Sequence, residues 1–356
     1  MPGMARQKTE TISGKDNYWL IDVIKFVFAI LIVILHSKLY YVCPEELQYW
    51  IEKGLLRLAV PFFFLSSGFF LGKRINNKQA TDIKPYIVKY SKRMLLILVV
   101  FEPVSLFLNA ASESIRDIGW FRFILATGKT ILFYPPGALW FVQACLIACW
   151  IIYCLLCNKV RAKIIALLGA VIYFCTLFFD SYFFLIEGSR LSGLVSTITT
   201  FCGSARNGIT VGFPLLFLGM QCQKYLDRGS VASHRNIIVC VFSYVLFAFE
   251  LLCLKGNRPL DDGSLFLFAP LFCASLLIFA SKYNDNKHQF QILRNLSTGL
   301  YLLHKPLLKM FTMAFGFSDL DPKSIVTRFI ITLCSALLLC FLSYRSRFTF
   351  IRNILK

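Results

Sequence analysis

Charge is what this sequence has least of. Only 16% of its 356 residues are charged, against about 25% in soluble domains, which excludes an ordinary soluble globular domain. Short motifs of soluble chemistry are missing too: there is no Walker-type glycine loop, no G-x-S-x-G elbow and no H-E-x-x-H pair. Cys154-Leu-Leu-Cys157 is a lone C-x-x-C that no second pair completes, so no metal site is expected. Of the 13 cysteines all but Cys43 and Cys202 sit in apolar runs or at their ends, which argues against a disulfide framework and for small apolar helix residues. The polar head MPGMARQKTETISGK is followed by no small-residue cleavage pattern, so no cleavable signal peptide is expected. No internal repeat of the kind many transporters carry is evident.

What the chain does have is apolar length. It is 57% hydrophobic, with a mean hydropathy of +0.65, and the apolar residues fall in runs of about 20, enough to cross a hydrocarbon core of about 30 Å as helices. Spans are expected at 17–40, 51–72, 85–109, 137–157, 163–179, 207–222, 236–254, 264–281, 297–317 and 324–342. The fold class is therefore an all-α polytopic membrane protein, a single bundle of about ten transmembrane helices over 17–342. A tail, 1–16, precedes it and a basic tail, 343–356, follows. Most Lys and Arg fall on the side holding both termini, which places both ends in the cytoplasm. The net charge of +19 is thus a topology signal beside anionic lipid, and the partner is a bilayer rather than nucleic acid. The expected location is a bacterial plasma membrane, crossed many times. The outer segment 110–136, with Trp120, Phe121 and Phe123, reads as an amphipathic interfacial cover.

The first span carries three ionisable residues. Lys25 and His36 are eleven residues apart, which returns to within about 20° of one helix face some 16 Å along the axis. Asp22 precedes Lys25 by three and is expected to pair with it. An ionisable group at mid-membrane costs about 2.5–3.5 kcal/mol, so such a stripe faces a bundle interior or a wet cavity. The plainer alternative is a boundary ion pair with a snorkelling lysine and a histidine at the outer interface. A histidine in an outward-facing cavity with a cation below it suits a general base.

Other candidates lie further along. Glu102 sits in an apolar run and needs a partner, either His36, Arg57 or Arg328. Ser297, Tyr301 and His304 share one face of the ninth span, to line a path or to lock packing, with Lys305 about 100° from His304 and pointing elsewhere. Arg206 and Asn207 open the sixth span on the outer side, and Trp140 reads equally as a substrate platform or an interfacial anchor.

Ile21-Asp-Val-Ile-Lys25, ten residues, then His36-Ser37 resembles the first helix of acyltransferase family 3, whose signature is arginine, ten residues and histidine. Arg57-Leu-Ala-Val-Pro61-Phe-Phe-Phe-Leu-Ser-Ser67-Gly68, Leu139-Trp140-Phe141 and Ser297-Thr-Gly-Leu-Tyr301-Leu-Leu-His304-Lys-Pro306 resemble its later motifs in order. Arg206-Asn207-Gly208, with Pro214 and Gly219, resembles a segment of a Gram-positive branch. The chain departs at Lys25, where the signature has arginine. It departs again at Lys89-Tyr-Ser-Lys92-Arg93, a looser form of a cytoplasmic Arg-x-x-Arg.

The resemblance implies an enzyme with no permanently bound cofactor. It would transfer an acyl group, usually acetyl, from acyl-CoA (acetyl-CoA) to a hydroxyl of an envelope glycan or small acceptor. His36 would take the acceptor proton, with direct transfer favoured over an acyl-histidine. Lys25 would steady charge on the donor side, or fix the helix through Asp22. Lys89, Lys92 and Arg93 would hold the CoA phosphates, unless they serve only as topology signals, and Ser297, Tyr301 and His304 would line the CoA path. Arg57, Trp140, Arg206 and Asn207 would meet the acceptor. The same branch includes the membrane domains of vancomycin-resistance serine racemases. The alternative is therefore a transport or accessory module for a small amino acid such as serine. With only a short basic tail after Leu342, racemase chemistry is not expected on this chain.

Overall fold

A run without glycine or proline, Trp19–Ser37, forms helix α1 and stops at Lys38, whose left-handed backbone (φ 61°) returns its N–H to the carbonyls of Ile34 and Leu35. The computed structural model describes residues 18–76, 78, 80–112, 128, 137–228, 233–283 and 290–345, and among these all regular structure is helical. After a helical turn at Glu45–Tyr49 and a π-helical segment at Trp50–Leu55 come α2 (Ala59–Ile75), α3 (Ala80–Ser112), α4 (Leu139–Cys157) and α5 (Ala162–Leu177). Then follow α6 (Arg190–Cys202), α7 (Phe213–Asp227), α8 (Ser233–Leu254), α9 (Ala269–Ser281), α10 (Gln291–Phe315) and α11 (Pro322–Arg345).

Five stretches are long and apolar enough to cross a membrane: Trp19–Ser37, Glu45–Ile75, Leu139–Cys157, Arg235–Leu254 and Pro322–Arg345; α5 and α9 are shorter apolar helices. Each expected span coincides with a helix. Helix α6 lies where no helix was expected. Its Leu191, Leu194, Ile198 and Phe201 are exposed at spacings of three and four, the pattern of a one-sided surface helix. Tail 1–16, most of tail 343–356 and nearly all of the expected cover at 110–136, with Trp120, Phe121 and Phe123, lie outside the described residues.

Helix α2 is buried on nearly every side and forms the axis of the bundle. It crosses α7 with the two backbones in contact. A Cβ on Gly68 would stand 1.9 Å from the Leu216 carbonyl oxygen, and one on Gly219 would stand 2.1 Å from that of Leu65. Such approaches need glycine and are the usual basis of helix association in lipid. Helix α1 packs among α2, α9, α10 and α11, joined by a core containing Ile21, Ile32, Phe62, Leu65 and Leu300. Both ends of α1 are tied: Asp22 bonds Arg294 at one, and Arg328 donates to the Ser37 carbonyl (2.7 Å) at the other.

Candidate active site

The Asp22–Lys25–His36 stripe faces inward, toward two cavities at opposite ends of α1. The first, about 230 Å³, is lined by Lys25, Ser67, Arg74, Tyr90, Arg93, Arg294, Ser297 and Tyr301, with Phe63 and Phe141. The second, about 370 Å³, is lined by His36, Lys38, Ser105, Gly137, Lys305, Lys309, Asp319 and Arg328.

At the first cavity the expected Asp22–Lys25 pair is replaced. The fully buried Asp22 carboxylate instead accepts Arg294 in a two-pronged bond, Nε to Oδ1 at 2.9 Å and Nη2 to Oδ2 at 2.7 Å. A planar guanidinium satisfies both oxygens at once, which an ammonium cannot. Lys25 is left lining the cavity with no ion pair or hydrogen bond to any described residue. Four cations, Lys25, Arg74, Arg93 and Arg294, thus share one space, and the described carboxylate beside them, Asp22, is already engaged. Of the three basic residues expected together, only Arg93 lines the cavity. Lys89 and Lys92 are exposed, because Ile87, Tyr90, Met94 and Ile97 set the inward face of α3.

Rings separate the two cavities. Tyr301 packs against Phe63 (5.6 Å between centroids) and Phe141 (5.4 Å), and its hydroxyl donates to the Ala138 carbonyl at 2.8 Å. Ser297 donates to the Arg294 carbonyl. His304 is fully buried one turn beyond Tyr301, its Nδ1 3.1 Å from the Leu300 carbonyl, and its Nε2 has no partner. Its ring stacks on His36 at 5.3 Å, 19° from parallel. The face Ser297–Tyr301–His304 therefore does both things expected of it: it locks α10 to neighbouring helices and connects one cavity to the other. Lys305 does not point away, as its helical offset implied; it lines the cavity that holds His36.

Glu102 reaches none of its expected partners. Its Oε1 is buried without a hydrogen bond among the described residues, while Arg57 and Arg328 are paired elsewhere. Arg57 bonds Glu52 (2.7 Å) and Asp262 (2.8 Å); Arg328 bonds Asp319 (2.7 Å).

The acceptor candidates converge on Asp262. Arg206 meets the same carboxylate oxygen as Arg57, also at 2.8 Å, and lies over the Trp140 ring at 5.6 Å. Trp140 is buried and so is not an interfacial anchor. Burial alone would raise the Asp262 carboxyl, but Arg206 and Arg57 beside it hold it down to about 2. Asn207 is not free to bind: its Oδ1 accepts the Ile209 and Thr210 N–H groups and caps the π turn that opens α7. Asp180 braces the same loop by accepting the N–H groups of Gly263, Ser264 and Leu265.

Sequence reading passed over Arg74, Arg294 and Asp262, and turned Lys305 away. The arginines read as loop charges, and Asp262 lies in a polar outer loop; only the fold brings them to the site.

No solved structure matches this chain. Curated relatives do. It is 26% identical over 292 residues to a serine/alanine racemase of Enterococcus gallinarum, covering 80% of this chain and 40% of the relative. It is 22% identical over 325 residues to an amino-acid racemase of Enterococcus faecalis, covering 89% and 45%. The chain thus spans less than half the length of the curated relatives it matches. A family model described as an acyltransferase domain matches residues 18–345, nearly the whole described helical region, and the chain belongs to that family, acyltransferase 3.

Proposed function

We propose that this protein spans a bacterial plasma membrane about ten times, with both termini in the cytoplasm. There it moves an acetyl group from acetyl-CoA to a hydroxyl of an envelope glycan or small acceptor. One observation carries the reading: a single helix presents an unpaired lysine to a cation-lined cavity at one end and a histidine to a second cavity at the other.

Lys25, Arg74, Arg93 and Arg294 would hold the donor phosphates, with Lys89 and Lys92 attracting them from outside. The uncharged acyl-bearing arm would pass the Phe63, Phe141 and Tyr301 rings to His36. There the imidazole takes the proton of the acceptor hydroxyl while its oxygen attacks the thioester carbonyl. A C–O bond forms, the C–S bond breaks, and the departing thiolate takes the proton back from the imidazolium, giving ester and free CoA. His304, stacked on His36, fixes the plane of the ring.

The test is label transfer. Vesicles containing the protein are loaded with acetyl-labelled acetyl-CoA on the side of the basic loops, and label is followed to water or an added glycan. Wild type is expected to release or transfer acetyl, and His36→Ala to do neither while remaining folded. If folded wild type neither binds acetyl-CoA nor moves label, the acyltransferase reading fails. Uptake of a small amino acid would then be measured instead, as the transport or accessory reading requires.

A further inference from the structure

Helix α10 places Lys305 directly after His304, yet the two side chains serve different neighbours. His304 stacks on His36, while Lys305 lines the His36 cavity with the base of its stem over Gly137, about 3.5 Å from where a Cβ would stand. Lys305 has no hydrogen bond or ion pair. The acids that could neutralise it are taken. Asp319, the carboxylate among the described lining residues, is held by Lys38 at 2.6 Å and Arg328 at 2.7 Å. Asp262, which faces Lys305 from beyond the cavity, is held by Arg57 and Arg206. Arg57 and Arg206 also lie on the cationic side of the His36 environment. A desolvated ammonium without a counter-ion is costly in an apolar bundle, and such a group is retained where a ligand supplies the missing charge.

We propose that the acceptor is anionic: a saccharide or polyol that presents its hydroxyl to His36 while a carboxylate or phosphate on the same molecule pairs with Lys305. The proposal rests on the acyltransferase reading for the word acceptor, but the anion site itself does not. The cavity of about 370 Å³ falls in the usual range of small-molecule sites. Lysine suits the task because a point charge takes either anion without demanding a planar fork.

The experiment uses the full chain in detergent and measures equilibrium binding of glucose, glucuronate and glucose 6-phosphate, at low and high salt. Wild type, Lys305→Gln and Lys305→Arg are compared. Wild type is expected to bind at least one charged sugar about tenfold more tightly than glucose, a difference of about 1.4 kcal/mol, and salt should erode that preference. Lys305→Gln should abolish the preference and Lys305→Arg should keep most of it. Tight binding of glucose 6-phosphate alone assigns a phosphate-bearing ligand; tight binding of both assigns a general anion site. Equal binding of charged and neutral sugars by wild type overturns the proposal, as does a preference that survives Lys305→Gln. If Lys305→Gln does not fold, the wild-type preference and its salt dependence decide. Acetyl-CoA hydrolysis by wild type, measured in parallel, keeps the two readings apart. Turnover without anion preference sinks only the proposal, and anion preference without turnover sinks only the acyltransferase reading.

Discussion

Helical spacing pairs Asp22 with Lys25, whereas the fold pairs it with Arg294, 272 residues away. The two assignments predict different mutational couplings. Cutting one member of a buried ion pair costs about 3–5 kcal/mol, mostly because the other charge is stranded. Here the members are unequal: Asp22 is fully buried, while the Arg294 side chain is 40% exposed. Arg294→Gln strands the buried carboxylate, with only Lys25 one turn away to relieve it, and we expect a loss of about 2–3 kcal/mol. Asp22→Asn strands a guanidinium that water already reaches, and its loss should be nearer 1 kcal/mol. The double mutant should then recover about 1–2 kcal/mol relative to the sum of the single changes, a coupling typical of groups in direct contact. The Asp22–Lys25 cycle, run with Lys25→Gln, should give no more than about 0.5 kcal/mol, as for a helical i, i+3 pair. Thermal unfolding of each variant in one detergent reads these differences, at roughly 2–4 °C per kcal/mol. A larger coupling to Lys25 than to Arg294, or a greater loss from Asp22→Asn than from Arg294→Gln, would refute the reasoning.

Gly68→Ala and Gly219→Ala should each cost about 1–3 kcal/mol or more by forcing α2 and α7 apart. Gly193→Ala in α6, where a Cβ meets nothing within 4 Å, should be neutral or stabilise by up to about 1 kcal/mol; surviving monodisperse fraction after a heat step ranks the three. Asp262 has a folded pKa of about 2, below its usual 3.8, so its contribution is complete above the unfolded value and is lost only as pH falls through about 2. The loop at 255–268 should therefore resist pepsin at pH 4 in wild type and be cut in Asp262→Asn; equal cutting would show that Asp262 does not hold the loop.

The helices were legible because hydropathy over about 20 residues is a local property. What escaped was whatever a neighbour decides. Helix α6 is too polar to register as a span, and its apolar stripe of Leu191, Leu194, Ile198 and Phe201 shows only when read at helical period. The π turns at Trp50–Leu55 and Gly208–Gly212 have no composition of their own. The second is held by Asn207, whose amide was read as a ligand group when its oxygen was needed for two backbone N–H groups.

The site divides the same way. Lys25 and His36 could be put on one face from sequence alone, since the 3.6-residue period links them within a single helix. Their surroundings could not: in a basic loop, an arginine that sets topology and one that turns into a cavity contribute the same letter to a charge count. Arg74 and Arg294 were counted as the former and line the cavity of Lys25. The distance between the two ends of the stripe then constrains the chemistry. At about 1.5 Å per residue, Lys25 and His36 are some 16 Å apart along the axis, too far for one compact ligand group to touch both. A donor that uses both ends must carry its charge well away from its reacting carbonyl, joined by a stretch that tolerates the Phe63, Phe141 and Tyr301 rings between the cavities. A thioester on a long neutral arm with a phosphorylated head satisfies those three demands together, which a free amino acid does not.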